Sequence, residues 1–402
     1  MPEVTLFELA KYFLVLGATG FGGPLAIIEK IRYDLVLKKN WMQMDEFKNL
    51  FGYSQVAPGP LAFQMAVYFG YYRKGFWGAF FAGFGLVLPS FLIVLVFSIF
   101  YKEFRDIDYI RYALYGLSPV IIAIIGKSGL NLSKTIFQKD LFMYLVFFLS
   151  IFLTIAVKIQ IIYIVIASAL FSLIYHAVHK KVKGDSLKSL FIFFPLLFSK
   201  AKMFFANSAI LFIKYFKIFL FTAFIPGTLI TLALLFLKVG SLTYGSGFVI
   251  VGVLKQEFVD NLHWLTAKEF IDGIAFGQIT PGPVVITSTF IGYMSAGIIG
   301  SIVSTVCIFL PTFIFVLILA QKIHKFKDNF YLQSLIKGAN AAALGAILST
   351  AFILAKDAIV DIPTVVLFLV ALLILFLTKF KDIYMILLAC LAGILIKLFI
   401  FL

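Results

Sequence analysis

Gln55-Val56-Ala57-Pro58-Gly59-Pro60 recurs 223 residues later as Gln278-Ile279-Thr280-Pro281-Gly282-Pro283. Outward from this pair, Leu14 to Pro60 lies over Leu237 to Pro283 without a gap: Gly17 falls on Gly240, Gly22 on Gly245, Trp41 on Trp264, and Glu46-Phe47 on Glu269-Phe270. After one deleted residue the register continues. Gly70-Tyr71 then meets Gly292-Tyr293, Gly75 meets Gly297, Gly78 meets Gly300, Leu88-Pro89 meets Leu310-Pro311, and Gly116 meets Gly338. The coincidences are Gly, Pro, Trp and Gln rather than Leu and Phe, so shared oiliness does not explain them. The chain is an internal duplication.

Composition says what is duplicated. Of 402 residues 62% are apolar or aromatic and 13% charged, whereas a soluble domain is about half apolar and about a quarter charged. The polar surface needed to wrap a soluble core is missing, which makes this a multi-span membrane protein. The net charge of +15 sits between apolar runs and reads as the Lys/Arg bias of cytoplasmic loops, not as a nucleic-acid surface. Cys307 and Cys390 lie inside apolar runs, and the four histidines have no ligand spacing, so no disulfide, metal or cofactor is expected. Met1-Pro2-Glu3-Val4-Thr5 carries no basic stretch of the kind that opens a secretory signal.

Each copy holds six apolar segments of spanning length, which is about 17–25 residues. They fall near 5–27, 46–70, 76–100, 112–131, 141–157 and 160–178, with counterparts near 228–250, 269–292, 298–321, 334–355, 362–378 and 383–401. Loop charge reverses between the copies: Arg73 and Lys74 face the uncharged turn Met294-Ser295-Ala296, and Lys322, Lys325 and Lys327 face a mixed loop in the first copy. Lys and Arg mark the inside, so the two copies are expected to insert upside down relative to each other. Two even-numbered halves can do so only if an odd crossing joins them, and the run 203–221 is its candidate. The expected fold is an all-α integral membrane protein: an N-terminal repeat over 1–178, a basic connector with a linking span over 179–223, and an inverted repeat over 224–402. Lys214 and Lys217 weigh against that linking span, since each costs about 2.5–3.5 kcal/mol at mid-bilayer on insertion scales.

Inverted repeats with Gly/Pro-interrupted segments in matching positions point to secondary transporters. One interruption is Gly22-Gly23-Pro24, matched by Gly245-Ser246-Gly247; the other is Pro58-Gly59-Pro60, matched by Pro281-Gly282-Pro283. Proline inside a helix removes a hydrogen bond and clashes with the preceding turn, yet it suits the first position of a new helix. Each break therefore ends one half-helix and starts another, whose bare amides carry about half a positive charge and attract anions. A packing kink is the plainer reading of any one motif; two motifs, each repeated, favour a binding site. Gln55 and Gln278 are candidate amide donors, or equally C-caps of the preceding half-helix. Ser54, Thr280, Thr287 and Ser288 are candidate hydroxyls.

In combination these motifs, with Gly-Tyr-x-x-x-Gly-x-x-Gly at Gly70–Gly78 and Gly292–Gly300 and Leu-Pro-Ser/Thr at Leu88-Pro89-Ser90 and Leu310-Pro311-Thr312, resemble the chromate ion transporter family in its long, two-domain form. The resemblance covers both halves and omits the connector. It departs at Ser246, where a glycine would be expected. It implies efflux of chromate, with sulfate as the look-alike anion, across the cell (inner) membrane.

Charge near the first motif supplies further candidates. Arg32 aligns with Lys255 and Asp34 with Glu257, whereas Lys30 and Glu29 have no charged counterpart. A guanidinium matches paired oxyanion oxygens better than an ammonium does, so Arg32 ranks first as anion partner, ahead of Lys30 and Lys255. A solvated interfacial loop of ion pairs is the competing reading. Lys238 is an ionisable group inside an apolar segment. Proton coupling would need a carboxylate reachable from both sides, and Glu29, Glu46, Asp34 and Glu257 are the candidates. A sulfate importer of the same fold, an anion channel and an integral-membrane enzyme are the alternatives; the last would need a nucleophile–base pair or metal ligands at the breaks.

Overall fold

The computed structural model describes residues 3–21, 23–54, 58–137, 140–182, 227–243, 247, 249–320, 329–378, 380 and 382–400. The first copy contributes α1 (Leu6–Thr19), α2 (Gly23–Arg32) running into a π-turn (Tyr33–Lys38), α3 (Met44–Ser54), α4 (Leu61–Phe104), α5 (Asp108–Ile136), α6 (Leu141–Ile155) and α7 (Ile161–Val182). The second contributes α8 (Gly227–Leu242), α9 (Val249–Lys255) with its π-turn (Gln256–Asn261), α10 (Ala267–Ile279), a 3₁₀ turn (Val284–Ile286), α11 (Thr287–Ala320), α12 (Phe330–Ala358), α13 (Ile362–Leu377) and α14 (Asp382–Ile400). Both π-turns follow the matching short helix of their copy, so the duplication extends to irregular backbone. The linking run 203–221 lies outside the described residues.

Local chemistry sets the ends. Thr5 caps α1 and Thr266 caps α10, each in a reciprocal box with a glutamate three residues on, which satisfies two otherwise orphaned amides. α4 and α11 are each two arms joined at a non-helical pair, Lys74-Gly75 and Ala296-Gly297, with φ +59° and +63° at the glycines. The arms double back so closely that a Cβ on Gly70 would overlap the Gly78 carbonyl; Gly292 and Gly300 meet in the same way.

Two of the six expected segments in each copy do not run straight through. α1 turns back into α2: Tyr12 donates to Asp34 at 3.4 Å and meets Trp41 at 5.9 Å. α3 turns back into the first arm of α4, with Tyr53 against Tyr68 and, at the far ends, Glu46 beside Arg73 at 3.7 Å. In the second copy Phe236 stacks on Phe258, and Phe276 packs on Phe290. The runs 5–27, 46–70, 228–250 and 269–292 are thus four folded-back pairs, because the Gly/Pro breaks at their midpoints let the chain reverse. The sequence expectation of six simple spans per copy is corrected to two such pairs followed by four helices.

The copies interleave. Within each copy, Gly17 brings α1 against the α4 backbone at Leu86 and Gly240 brings α8 against α11 at Ile308; the contacts between copies lie elsewhere. Further out, α5 packs on α13 and α14, while α12 packs on α6 and α7. The closest approaches are again paired: Gly116 meets Ala389 and Gly393, and Gly338 meets Ser168 and Ser172. Small residues at such crossings let helices approach where lipid gives no hydrophobic drive to associate. Six described helices or helix pairs are long and apolar enough to cross a membrane. Phe76, Trp77, Phe80 and Phe84 lie exposed on the outside of α4, a surface that suits lipid rather than water. The chain is a multi-pass membrane protein.

Candidate functional site

The two Pro-Gly-Pro breaks meet the other copy, not their own. The Gly59 amide donates to the Thr243 carbonyl at 2.5 Å, and the Gly282 amide donates to the Gly20 carbonyl at 3.0 Å. Thr243 and Gly20 are matching positions at the ends of α8 and α1, so the two bonds form a reciprocal pair. The flanking contacts reciprocate too: Gly59 lies against Thr312, and Gly282 against Ser90, whose hydroxyl donates to the Pro281 carbonyl. The Leu-Pro-Ser/Thr motif of each copy therefore seats the break of the other. Residue i touching j′ while i′ touches j is the mark of a local two-fold. Only glycine fits these loop centres: φ is +132° at Gly59 and +103° at Gly282, and Thr312 and Ser90 fill the space a side chain would need.

Beyond each break a helix begins without a side-chain cap, after Pro60 on one side and Pro283 on the other. The first amides of those turns have no partner within their own helix. Polar atoms gather around them. Gln64 donates to the Gly59 carbonyl at 3.0 Å, and Thr243, Thr280 and Thr287 are buried with their hydroxyls bonded to their own helices. Gln278 Nε2, Ser288 Oγ and Thr312 Oγ1 are shielded from solvent and have no hydrogen-bond partner among the described residues. The first motif of the second copy joins the second: a Cβ on Gly247 would reach the Val285 side chain at 3.1 Å and its amide nitrogen at 3.8 Å. Gly23 and Pro24 start α2. Gly22, Gln55, Gly245 and Ser246 lie outside the described residues.

The charged candidates separate. Lys30 Nζ donates to Thr19 Oγ1 at 2.8 Å, next to the Gly20 carbonyl that receives Gly282. Arg32, ranked first from sequence, is engaged by Glu29 one turn back, and that guanidinium holds the exposed Glu29 carboxyl below its ordinary range. Lys255 pairs with Asp260 at 2.8 Å. Lys238 reaches Glu257 at 2.9 Å, and Asn261 donates to the other oxygen of the same carboxylate at 3.0 Å. Two of the residues singled out separately thus satisfy each other. One carboxylate was missed: Asp272 on α10 is fully buried and accepts from Tyr101 at 2.9 Å. It replaces Asn49 of the first copy, so a search for repeated residues passes over it.

The family model described as chromate transporter matches residues 7–173 and 230–394. A chromate transport protein of Cupriavidus metallidurans is 33% identical over 381 residues, 95% of this chain and 90% of that protein. A probable chromate transport protein of Synechococcus elongatus is 32% identical, over 92% of this chain and 90% of its own length. A chromate transport protein of Pseudomonas aeruginosa is 28% identical over 90% of this chain and 84% of its own. No solved structure matches. With the family's model on both halves and relatives aligned across nearly all of the chain, this protein belongs to the chromate transporter family.

Proposed function

We propose that the chain is a secondary transporter that carries chromate out of the cell across the cell (inner) membrane by alternating access, with the two copies inserted in opposite senses. The reciprocal pair Gly59–Thr243 and Gly282–Gly20 carries the proposal, because it ties both copies to one another at the point where both are broken. Around that point the unpaired Gln278, Ser288 and Thr312 groups and the uncapped turns after Pro60 and Pro283 offer donors to a tetrahedral oxyanion from two sides. Lys30 is held at Thr19, the residue before the Gly20 carbonyl that receives Gly282. Arg32 and Lys255, each engaged by a carboxylate, serve the rim. Non-helical backbone at membrane depth is tolerated where it is buried in protein or lines a wet cavity, and a loop held by the opposite copy meets that condition.

The direction follows from charge. Moving one charge through 100 mV is worth about 2.3 kcal/mol, so an inside-negative cell drives a dianion outward without other coupling. The test is uptake of labelled chromate, with sulfate in parallel, into everted vesicles. Wild type would be compared with Pro60→Ala, Pro283→Ala and Lys30→Met. Both proline variants should insert and lose transport, and Lys30→Met should raise KM. Undiminished flux in both proline variants would remove the site; preference for sulfate would reassign the substrate.

A further inference from the structure

The anion site leaves one carboxylate unused. Asp272 sits inside the α10–α11 pair with no solvent exposure. Its Oδ2 accepts from the Tyr101 hydroxyl of α4 at 2.9 Å, while Oδ1 has no hydrogen-bond partner among the described residues. Tyr101 meets Phe276 and Phe290 edge-on, one from each arm of the pair. About one turn nearer the helix ends, Arg105 pairs with Glu269, and 37% of the Arg105 side chain is exposed. Asp272 therefore lies beneath an ion pair that touches solvent, on the helix that leads to the Pro281-Gly282-Pro283 break.

Three of the four carboxylates named from sequence are better neutralised, and the fourth, Asp34, is only half-buried beside Tyr12. Glu257 has Lys238 and Asn261, Glu46 has Arg73 and Tyr72, and Glu29 has Arg32. Asp272 has a neutral hydroxyl. A carboxylate buried without a cation costs several kcal/mol, and ionisable groups inside membrane segments mark ion or proton pathways by default. The matching residue of the first copy is Asn49, which has the same shape and no proton to give. The repeated frame therefore accepts an amide at this position, and folding alone does not account for the acid.

We propose that Asp272 is the proton-binding site of the transport cycle. The carboxylate takes a proton from water on one face of the membrane, forming an O–H bond, and releases it to water on the other, so that a proton moves in exchange for the oxyanion. The groups that face it are Tyr101 on α4, Arg105 just past its end, Lys268 and Glu269 on α10, and Cys390 on α14. Glu269 and Arg105 gate the solvent side, and Tyr101 holds the carboxyl in place. This inference rests on the transport reading above.

The test uses the full chain in liposomes with a pH-sensitive dye inside and labelled chromate as the probe, the membrane potential clamped at zero. Two modes are read: chromate–chromate exchange without a gradient, and accumulation driven by an imposed pH gradient. In wild type the gradient should drive accumulation, with dye-reported proton flow. Asp272→Asn should keep exchange and lose gradient-driven accumulation by about tenfold, within the 5–150-fold range that coupling between sites supplies. Tyr101→Phe should keep exchange and move the pH profile of the driven mode, and Asp272→Glu should restore coupling in part. A gradient response in Asp272→Asn equal to wild type overturns the proposal. So does loss of both modes in Asp272→Asn without recovery in Asp272→Glu, which would make the group structural. Wild type that exchanges no chromate would instead overturn the transport reading.

Discussion

At the scale of single residues, Gly59 and Gly282 carry the most constraint per atom. Their positive φ values cost a side-chain-bearing residue about 1–3 kcal/mol, and an added Cβ would also overlap Thr312 or Ser90. Gly59→Ala and Gly282→Ala should each lower the thermal midpoint of the detergent-solubilised protein and reduce chromate flux at least as much as the proline variants. Trimming the neighbour in Gly282→Ala/Ser90→Gly should recover only the steric share, since the backbone strain stays. Gln278 allows a milder test. If its unpaired amide meets the anion, Gln278→Ala removes a hydrogen bond to a charged group, worth about 1.5–3 kcal/mol. KM for chromate should then rise roughly tenfold or more, with little change in stability. An unchanged KM would return Gln278 to a capping role. These residues were legible because each was written twice. Asp272 was not, because it is the acid that breaks the match with Asn49. The competitor for Arg32 was also hard to weigh: three residues on a helix bring Glu29 and Arg32 together, so the better oxyanion ligand by chemistry carries an ion pair in the structure.

At the scale of elements, apolar run length could not separate a crossing from a folded-back pair. α3 and the first arm of α4 are each too short to span about 30 Å at 1.5 Å per residue, yet together they make a run of spanning length. What distinguishes them is that Glu46 and Arg73, at opposite ends of the run, lie 3.7 Å apart, and no periodicity announces that. The repeat did locate the breaks, and the breaks are what permit reversal. The turn glycines differ in a way the sequence could not rank. Gly75 has open space around it, but its φ of +59° with ψ of −146° lies in a region that essentially only glycine adopts. Gly78, by contrast, lies against the Gly70 backbone. Gly75→Asn should therefore lower the thermal midpoint through backbone strain alone, about 1–3 kcal/mol, whereas Gly78→Val should wedge the arms apart and abolish a folded monodisperse peak on size exclusion. The Lys238–Glu257 pair belongs to this scale as well. Removing Lys238 strands the mostly buried Glu257 carboxylate with Asn261 alone, so Lys238→Met alone should destabilise more than Lys238→Met/Glu257→Gln together.

At the scale of the whole molecule, the long arms of α4 and α11 lie side by side in opposite directions. Phe76, at the start of one, meets Phe313, near the end of the other, at 5.9 Å. At the far end Lys102 lies over Tyr293, just before the second turn, at 5.9 Å. If folded-back pairs enter and leave on one face, each copy contributes four crossings: the long arm and the three helices that follow it. The antiparallel arms then place the turn at Lys74-Gly75 and the turn at Ala296-Gly297 on opposite faces of the membrane. On that condition an odd number of crossings is expected between α7 and α8, as the loop charges also predict. Arg73 and Lys74 beside the first turn predict that it faces the inside. In a background lacking Cys307 and Cys390, a membrane-impermeant thiol reagent should label Ala296→Cys in intact cells and Lys74→Cys only in everted vesicles. Labelling of both from the same side would mean that the copies thread the bilayer in one sense. The reciprocal bonds at Gly59 and Gly282 could not then sit between two mirrored cradles, and a one-sided anion site would have to replace them.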